Sequence, residues 1–126
     1  AQRRSEITKH INNGVDLQLR KNYDEAIKEY MVALQADPNN ADIYVNIGSA
    51  LQAKEDYARA IAAYQKALSI QPSNKAATQG IKASTEAKAN KDLDTATAAA
   101  ADLYKQKRYD EALAQYQAIL KQTPQN

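Results

Sequence analysis

The 126-residue sequence has no cysteine, tryptophan or phenylalanine, and it contains one histidine, three glycines and three prolines. The absence of cysteine excludes disulfides, thiol nucleophiles and thiolate zinc sites. His10 has no second histidine with which to hold a metal, and three scattered glycines cannot form a phosphate-binding loop. No run of 18 apolar residues occurs, which argues against a membrane-spanning helix. We therefore predict no catalytic residue, no metal, no cofactor and no membrane contact.

Charge of one sign is also scarce, because 17 Lys and Arg residues oppose 15 Asp and Glu residues. Proteins that bind nucleic acid concentrate basic side chains on one face to neutralise phosphates, and no such patch is present. The carboxylate pairs Asp24-Glu25 and Asp110-Glu111 fall at predicted helix starts, where negative charge favours the helix dipole. We therefore predict that the protein is not an enzyme and binds no nucleic acid.

Alanine is abundant, at 25 positions. It is the strongest helix former, and the few glycines and prolines leave few places for a helix to end. A chain of this length forms one domain. The composition therefore predicts an all-α protein.

A short motif recurs along the chain at offsets of 34 and 52 residues. Its copies are Asn22 to Ile27 (NYDEAI), Asp56 to Ile61 (DYARAI) and Arg108 to Leu113 (RYDEAL). Tyrosine and proline recur at the same offsets, as Tyr30, Tyr64 and Tyr116 and as Pro38, Pro72 and Pro124. A regular period of this length indicates stacked structural repeats.

The pattern resembles the tetratricopeptide repeat (TPR), a helix-turn-helix unit of about 34 residues. The resemblance implies a right-handed superhelical stack of such units. It divides the chain into a lead-in at 1–6, units at 7–40, 41–74 and 93–126, and an extra helical segment at 75–92, all in one domain that is part of a longer array. The family's packing sets Gly48 of a first helix against Ala60 of the second.

Polar residues mark the predicted helix starts. Asn22 and Asp56 are predicted N-caps of second helices, and Glu25 is expected to complete a capping box with Asn22. Asn40 and Asn74, which follow the prolines, are predicted to cap the next helices.

The extra segment at 75–92 is rich in alanine and lacks proline, so a helix is predicted from about Ala76. Two alternatives remain open for its end. It continues as a long or kinked helix to about Gln106, or it breaks near Asn90 to Asp92, where a polar side chain would cap a new start. We favour the long helix, which makes the element before the last unit irregular or extended.

The aromatic positions are predicted to be structural. Tyr30, Tyr64 and Tyr116 fall on the inward stripe of the second helices, and Tyr23, Tyr57 and Tyr109 fall at turns between units. Tyr44 is predicted to lie in the core, whereas Tyr104 is outside the usual aromatic positions. His10 is expected to pack between the helices of the first unit.

By this resemblance, function lies in a concave groove lined by first helices, where an extended or helical peptide of a partner protein binds. The predicted groove residues are Thr8, Ile11, Asn12, Val15, Leu19, Asp42, Val45, Asn46, Ser49 and Gln52. Their amides can pair with a peptide backbone, and their apolar members can hold side chains.

Some TPR domains grip acidic chaperone tails through a clamp of Lys, Asn and Arg residues. The positions that correspond to that clamp hold Ile11, Val15, Asn46, Ala76 and Gly80, of which Asn46 alone matches. We therefore predict an adaptor without a carboxylate clamp.

Self-association is the alternative function. Terminal repeats of a stack expose an apolar flank unless they are capped, and the last helix carries Leu113, Ile119 and Leu120. A homodimer would cover this flank, and exchange of the third helix pair through the 75–106 helix is one form it could take.

Overall fold

The computed structural model describes residues 2–122, and over that range it has six helices and no strand. They are α1 (Gln2–Leu19), α2 (Tyr23–Ala36), α3 (Ala41–Ala53), α4 (Tyr57–Ile70), α5 (Lys75–Lys105) and α6 (Tyr109–Gln122). The predicted all-α fold of helix-turn-helix units is confirmed. The chain divides into two compact units between Glu86 and Ala87, inside α5.

The first compact unit, which ends at Glu86, contains two helical hairpins. Helix α1 pairs with α2, α3 pairs with α4, and α3 also packs on α2. Small residues at the helix contacts, such as Ala26 and Ala60, are fully buried, which allows the backbones to approach closely. The larger core side chains are Tyr30, Ile43, Ile47, Leu51 and Tyr64.

Tyrosine rings fill the space beside three glycines. The ring of Tyr30 lies against Gly14, and the ring of Tyr64 lies between Gly48 of α3 and Gly80 of α5. An added Cβ at Gly48 would come within 2.7 Å of Cε1 of Tyr64. The three heavy atoms nearest that position all belong to Tyr64.

The turns that end α1, α3 and α5 share one backbone geometry. Lys21, Glu55 and Lys107 have φ of 64°, 67° and 63°, in the left-handed region that favours glycine. In the first turn, Lys21 N–H donates to Gln18 C=O at 2.9 Å and Asn22 N–H donates to Leu17 C=O at 2.8 Å. This is a Schellman helix end, and the same two bonds recur in the other two turns.

Three of the four predicted caps make side-chain bonds. Asn40 accepts from Asp42 N–H, Asn74 accepts from Ala77 N–H at 2.9 Å, and Asp56 accepts from Arg59 N–H. Asn22 precedes α2, but its side chain makes no capping bond, so the predicted capping box with Glu25 is wrong. The backbone N–H of Asn22 makes the Schellman bond to Leu17 C=O.

Helix α5 begins at Lys75, one residue before the predicted start, and continues without interruption to Lys105. The long-helix alternative is therefore confirmed, and the break near Asn90 is wrong. Ten of its 31 residues are alanine and none is proline, which supports a helix of this length.

In the second unit, α6 and the second half of α5 form a hairpin in which Ala100 and Ala112 are buried. Leu93, Ala96 and Ile119 line a cleft between them. The inward prediction holds for Tyr30 and Tyr64, which are 1% and 3% exposed, but it is wrong for Tyr116, which is 36% exposed.

The turn tyrosines differ in the same way. Tyr23 and Tyr57 are half-buried, whereas Tyr109 is exposed and makes an edge-to-face contact with exposed Tyr104, with ring centroids 5.3 Å apart. Pro124 lies outside the described residues. None of the described helices has the length and apolar character needed to cross a bilayer.

Candidate protein-binding face of α1 and α3

The ten predicted groove residues lie on α1 and α3, the first helices of the two hairpins, and we call this set the groove face. None of the ten is buried. On α1, Thr8, Asn12, Val15 and Leu19 are exposed and Ile11 is half-buried. On α3, Asp42 is exposed and the other four are half-buried. All ten positions are therefore open to solvent in part or in full.

A chain of side-chain hydrogen bonds joins the two helices along this face. Tyr30 O–H donates to Gln18 Oε1 at 2.9 Å, and Gln18 Nε2 donates to Ser49 Oγ at 3.0 Å. Burial raises the pKa of Tyr30 above its ordinary value, so the phenol remains a donor at neutral pH. The buried Tyr30 therefore orients Gln18, and Gln18 in turn links α1 to α3.

The same bond recurs one repeat later. Tyr64 O–H donates to Gln52 Oε1 at 2.8 Å, and burial also raises the pKa of Tyr64. Gln18 and Gln52 are 34 residues apart and are equivalent. In the second unit the equivalent position, 52 residues after Gln52, is Tyr104, so Tyr116 has no glutamine at this position.

Three of the predicted groove side chains are engaged within the fold. Ser49 and Gln52 make the bonds above, and Asp42 Oδ1 accepts from Asn74 Nδ2 at 3.3 Å. Within residues 2–122, neither the Asn12 nor the Asn46 amide has such a partner. The amides of this face that are free to bind a ligand are therefore those of Asn12 and Asn46, and the exposed Thr8 hydroxyl lies on the same face.

The prediction missed Gln18. Four of its five pairs keep the 34-residue offset, but the last one, Leu19 and Gln52, is 33 residues apart. Leu19 is the residue after Gln18, and it is among the most exposed apolar side chains of the chain. Aligning Gln18 with Gln52 by the 34-residue offset would have found the glutamine, because the tyrosine partners share that offset.

Ion pairs support the hairpins away from this face. His10 Nδ1 lies 2.6 Å from Glu29 Oε2 across α1 and α2, so His10 packs between the first two helices as predicted. Asp24 lies 2.5 Å from Lys54, and the Lys54 hydrogen bond and charge hold the pKa of Asp24 below its usual range.

The positions that would form a carboxylate clamp carry no cation. Ile11, Val15 and Ala76 are apolar, and Gly80 is buried against Tyr64. Over the described residues, no three acidic or histidine side chains are grouped to hold a metal.

Residues 41–74 match the tetratricopeptide repeat, and residues 19–55 match a TPR repeat profile. No curated protein matches the chain. Residues 19–74 therefore carry tetratricopeptide repeats, and such repeats generally bind other proteins or peptides.

Proposed function

We propose, from the repeats at 19–74, that the groove face binds a peptide segment of a partner protein and that the chain is a non-enzymatic adaptor or scaffold. The units at 7–40 and 41–74 supply this face; the extra helical segment at 75–92 and the unit at 93–126 are further parts of the proposed repeat organisation. The proposal includes no nucleic acid and no membrane among the ligands.

The observation that supports this proposal is that free amides and exposed apolar side chains lie together on two helices, α1 and α3, which hydrogen bonds hold in place. Asn12 and Asn46 can each donate to and accept from a peptide backbone. Val15 and Leu19 are exposed beside them, and Ile11 and Val45 are half-exposed. Because Gln18 couples α1 to α3 through Tyr30 and Ser49, little ordering of the face is needed on binding.

The chemistry of the face also limits the ligand. Without cations at the clamp positions, a C-terminal carboxylate would lose its hydration without gaining a charged partner. We therefore expect a neutral segment with apolar side chains, in an extended or helical conformation, rather than an acidic tail.

The experiment is to select ligands from a random peptide library on the immobilised chain and to measure their Kd by calorimetry. The double variant Asn46→Ala with Val15→Glu should weaken binding by about tenfold or more, which is about 1.4 kcal/mol. Its matched control is Asn13→Ala with Val32→Glu, because Val32 on α2 is 45% exposed and Val15 is 41% exposed.

The control should retain the original affinity. Equal weakening by both variants, or by neither, would contradict the proposal. Preferential selection of acidic C-terminal peptides, with binding that is lost at high salt, would contradict the absence of a clamp.

Self-association, including exchange of the third helix pair through the 75–106 helix, is a second candidate function. The observation that favours it is an exposed apolar row on α6, a surface separate from the groove face.

A further inference from the structure

Four large side chains form one exposed row along α6, and we call them the α6 stripe. They are Tyr109, Leu113, Tyr116 and Leu120. Their spacing of four, three and four residues sets them on one side of a helix. Three of them are more than half exposed, at 53%, 57% and 65% for Tyr109, Leu113 and Leu120.

The equivalent rows of α2 and α4 are covered. Offsets of 52 and 86 residues relate the α6 stripe to Tyr57, Ile61, Tyr64 and Leu68 on α4 and to Tyr23, Ile27, Tyr30 and Leu34 on α2. None of these eight side chains is exposed. Helix α3 packs on α2, and Gly80 of α5 contacts Tyr64. The α6 stripe is thus a helix-docking surface that no helix within residues 2–122 covers.

The helices that cover α2 and α4 share a row of apolar or small residues. In α3 the row is Ile43, Ile47 and Ala50, all buried, and in α5 it is Ala77, Ile81 and Ser84. The corresponding row of α1 is Lys9, Asn13 and Asp16, all exposed. The α1 end of a second copy therefore lacks the apolar row needed to cover the α6 stripe, which argues against head-to-tail stacking.

The α6 stripe of a second copy of the chain can cover the α6 stripe of the first. In an antiparallel pair of α6 helices, Tyr109 lies opposite the partner's Leu120, and Leu113 lies opposite the partner's Tyr116. The row beside the stripe begins with Asp110 and ends with Lys121, both exposed. Antiparallel two-fold pairing places Asp110 beside the partner's Lys121 twice. Parallel two-fold pairing would set the two rows on opposite sides of the interface and form neither pair.

We propose that the protein forms a two-fold symmetric dimer through antiparallel packing of the α6 stripe. Tyr104, which stacks edge to face on Tyr109, widens the apolar contact at each end, and tyrosine is a frequent anchor of interfaces. One helix face is smaller than the about 1,600 Å² of a standard interface. We therefore expect a weak dimer, with a Kd on the order of 10 μM or above.

The test is the molar mass of the chain by sedimentation equilibrium, over concentrations from about 1 μM to about 1 mM. The wild type should pass from monomer to dimer. Leu113→Glu should weaken the dimer by about tenfold or more, because it sets a carboxylate against an apolar row. Met31→Glu on α2 is the matched control, since Met31 is 51% exposed, and it should dimerise normally.

A charge exchange tests the antiparallel arrangement. Asp110→Lys and Lys121→Asp should each weaken the dimer, and the double variant should restore it, because the exchanged pair forms again across the interface. Within one helix the two positions are about 16 Å apart, so an intrachain pair cannot explain the rescue.

A monomer at every concentration would overturn the proposal, even if a different helix or a further segment were then found to cover the stripe. A dimer that survives Leu113→Glu, or a series of masses beyond the dimer, would also overturn it. Peptide binding on the groove face should be the same in Leu113→Glu and in the wild type, so the two proposals fail separately.

Discussion

The ring of Tyr64 lies against the backbone of Gly80, where α5 packs on the second hairpin. Gly48 closes the other side of the ring, and the phenol O–H is held by Gln52 at 2.8 Å. The ring therefore has little freedom to move, and the absence of a side chain at residue 80 is a packing requirement.

Gly80→Ala should destabilise the protein. Alanine gains about 1 kcal/mol of helix propensity over glycine, but the overlap of its Cβ with the Tyr64 ring should cost about 1 to 3 kcal/mol or more. We expect a net loss in the free energy of unfolding, measured by urea denaturation. In a Tyr64→Ala background the same change should stabilise, since only the propensity gain remains. Stabilisation by Gly80→Ala in the wild-type chain would contradict this account, because it would show that the Tyr64 ring can move away from residue 80 at little cost.

Lys21→Gly should stabilise the protein, although glycine usually weakens helical proteins. Lys21 has φ of 64°, which costs an L-residue about 1 kcal/mol that glycine does not incur. The control is Lys9→Gly inside α1, which should lower the free energy of unfolding by about 1 kcal/mol. If both substitutions destabilise equally, the first turn does not have the left-handed geometry.

Ser84→Ala should also stabilise. The Ser84 hydroxyl is fully buried, and within the described residues it has no hydrogen-bond partner. Removing an unsatisfied buried hydroxyl is worth about 1 kcal/mol or more. The neighbouring control Thr85→Ala is exposed and should gain helix propensity alone, at most about 0.7 kcal/mol. Thermal melts of the two variants would show the difference, and a Ser84→Ala melt at or below that of Thr85→Ala would contradict the burial.

Stability should fall at alkaline pH. Burial raises the pKa of Tyr30 and of Tyr64, so above about pH 10, the value for tyrosine in an unfolded chain, the folded state binds more protons than the unfolded state. The contribution of the two buried phenols to the free energy of unfolding is fully present below that pH. It is lost as the pH rises through their folded pKa values. Urea denaturation between about pH 9 and pH 12 should show a shallower decrease for Tyr30→Phe with Tyr64→Phe. An unchanged slope would be evidence against the burial of these phenols.

The sequence predicts most of the first unit because its local signals agree with its packing. The offsets that relate Tyr30 to Tyr64 place both rings in the core, and the polar residues after the prolines start α3 and α5. Alanine content and the lack of proline predict that α5 passes Asn90 without a break. Each of these inferences depends on local helix chemistry or on a repeated contact.

The sequence fails where the outcome depends on what packs against a repeat. Tyr116 occupies the repeat position of Tyr64, yet it is exposed because no helix within residues 2–122 covers the α6 stripe. Asn22 has the right residue type for a cap, yet its side chain makes no capping bond. Asp56 makes the same backbone Schellman bond and does cap α4, so nothing in the structure explains the difference. The link from Gln18 to Ser49 could not be read from one repeat, since it joins helices of two.

The most direct test of the groove face is an NMR titration of the isotope-labelled chain with a selected peptide. We expect the side-chain amide signals of Asn12 and Asn46 and the backbone amides of Val15 and Val45 to shift with one common Kd. The signals of Asn13 and Val32 should stay in place. Saturable shifts confined to α2, α4 or α6, with Asn12 and Asn46 unmoved, would contradict the account.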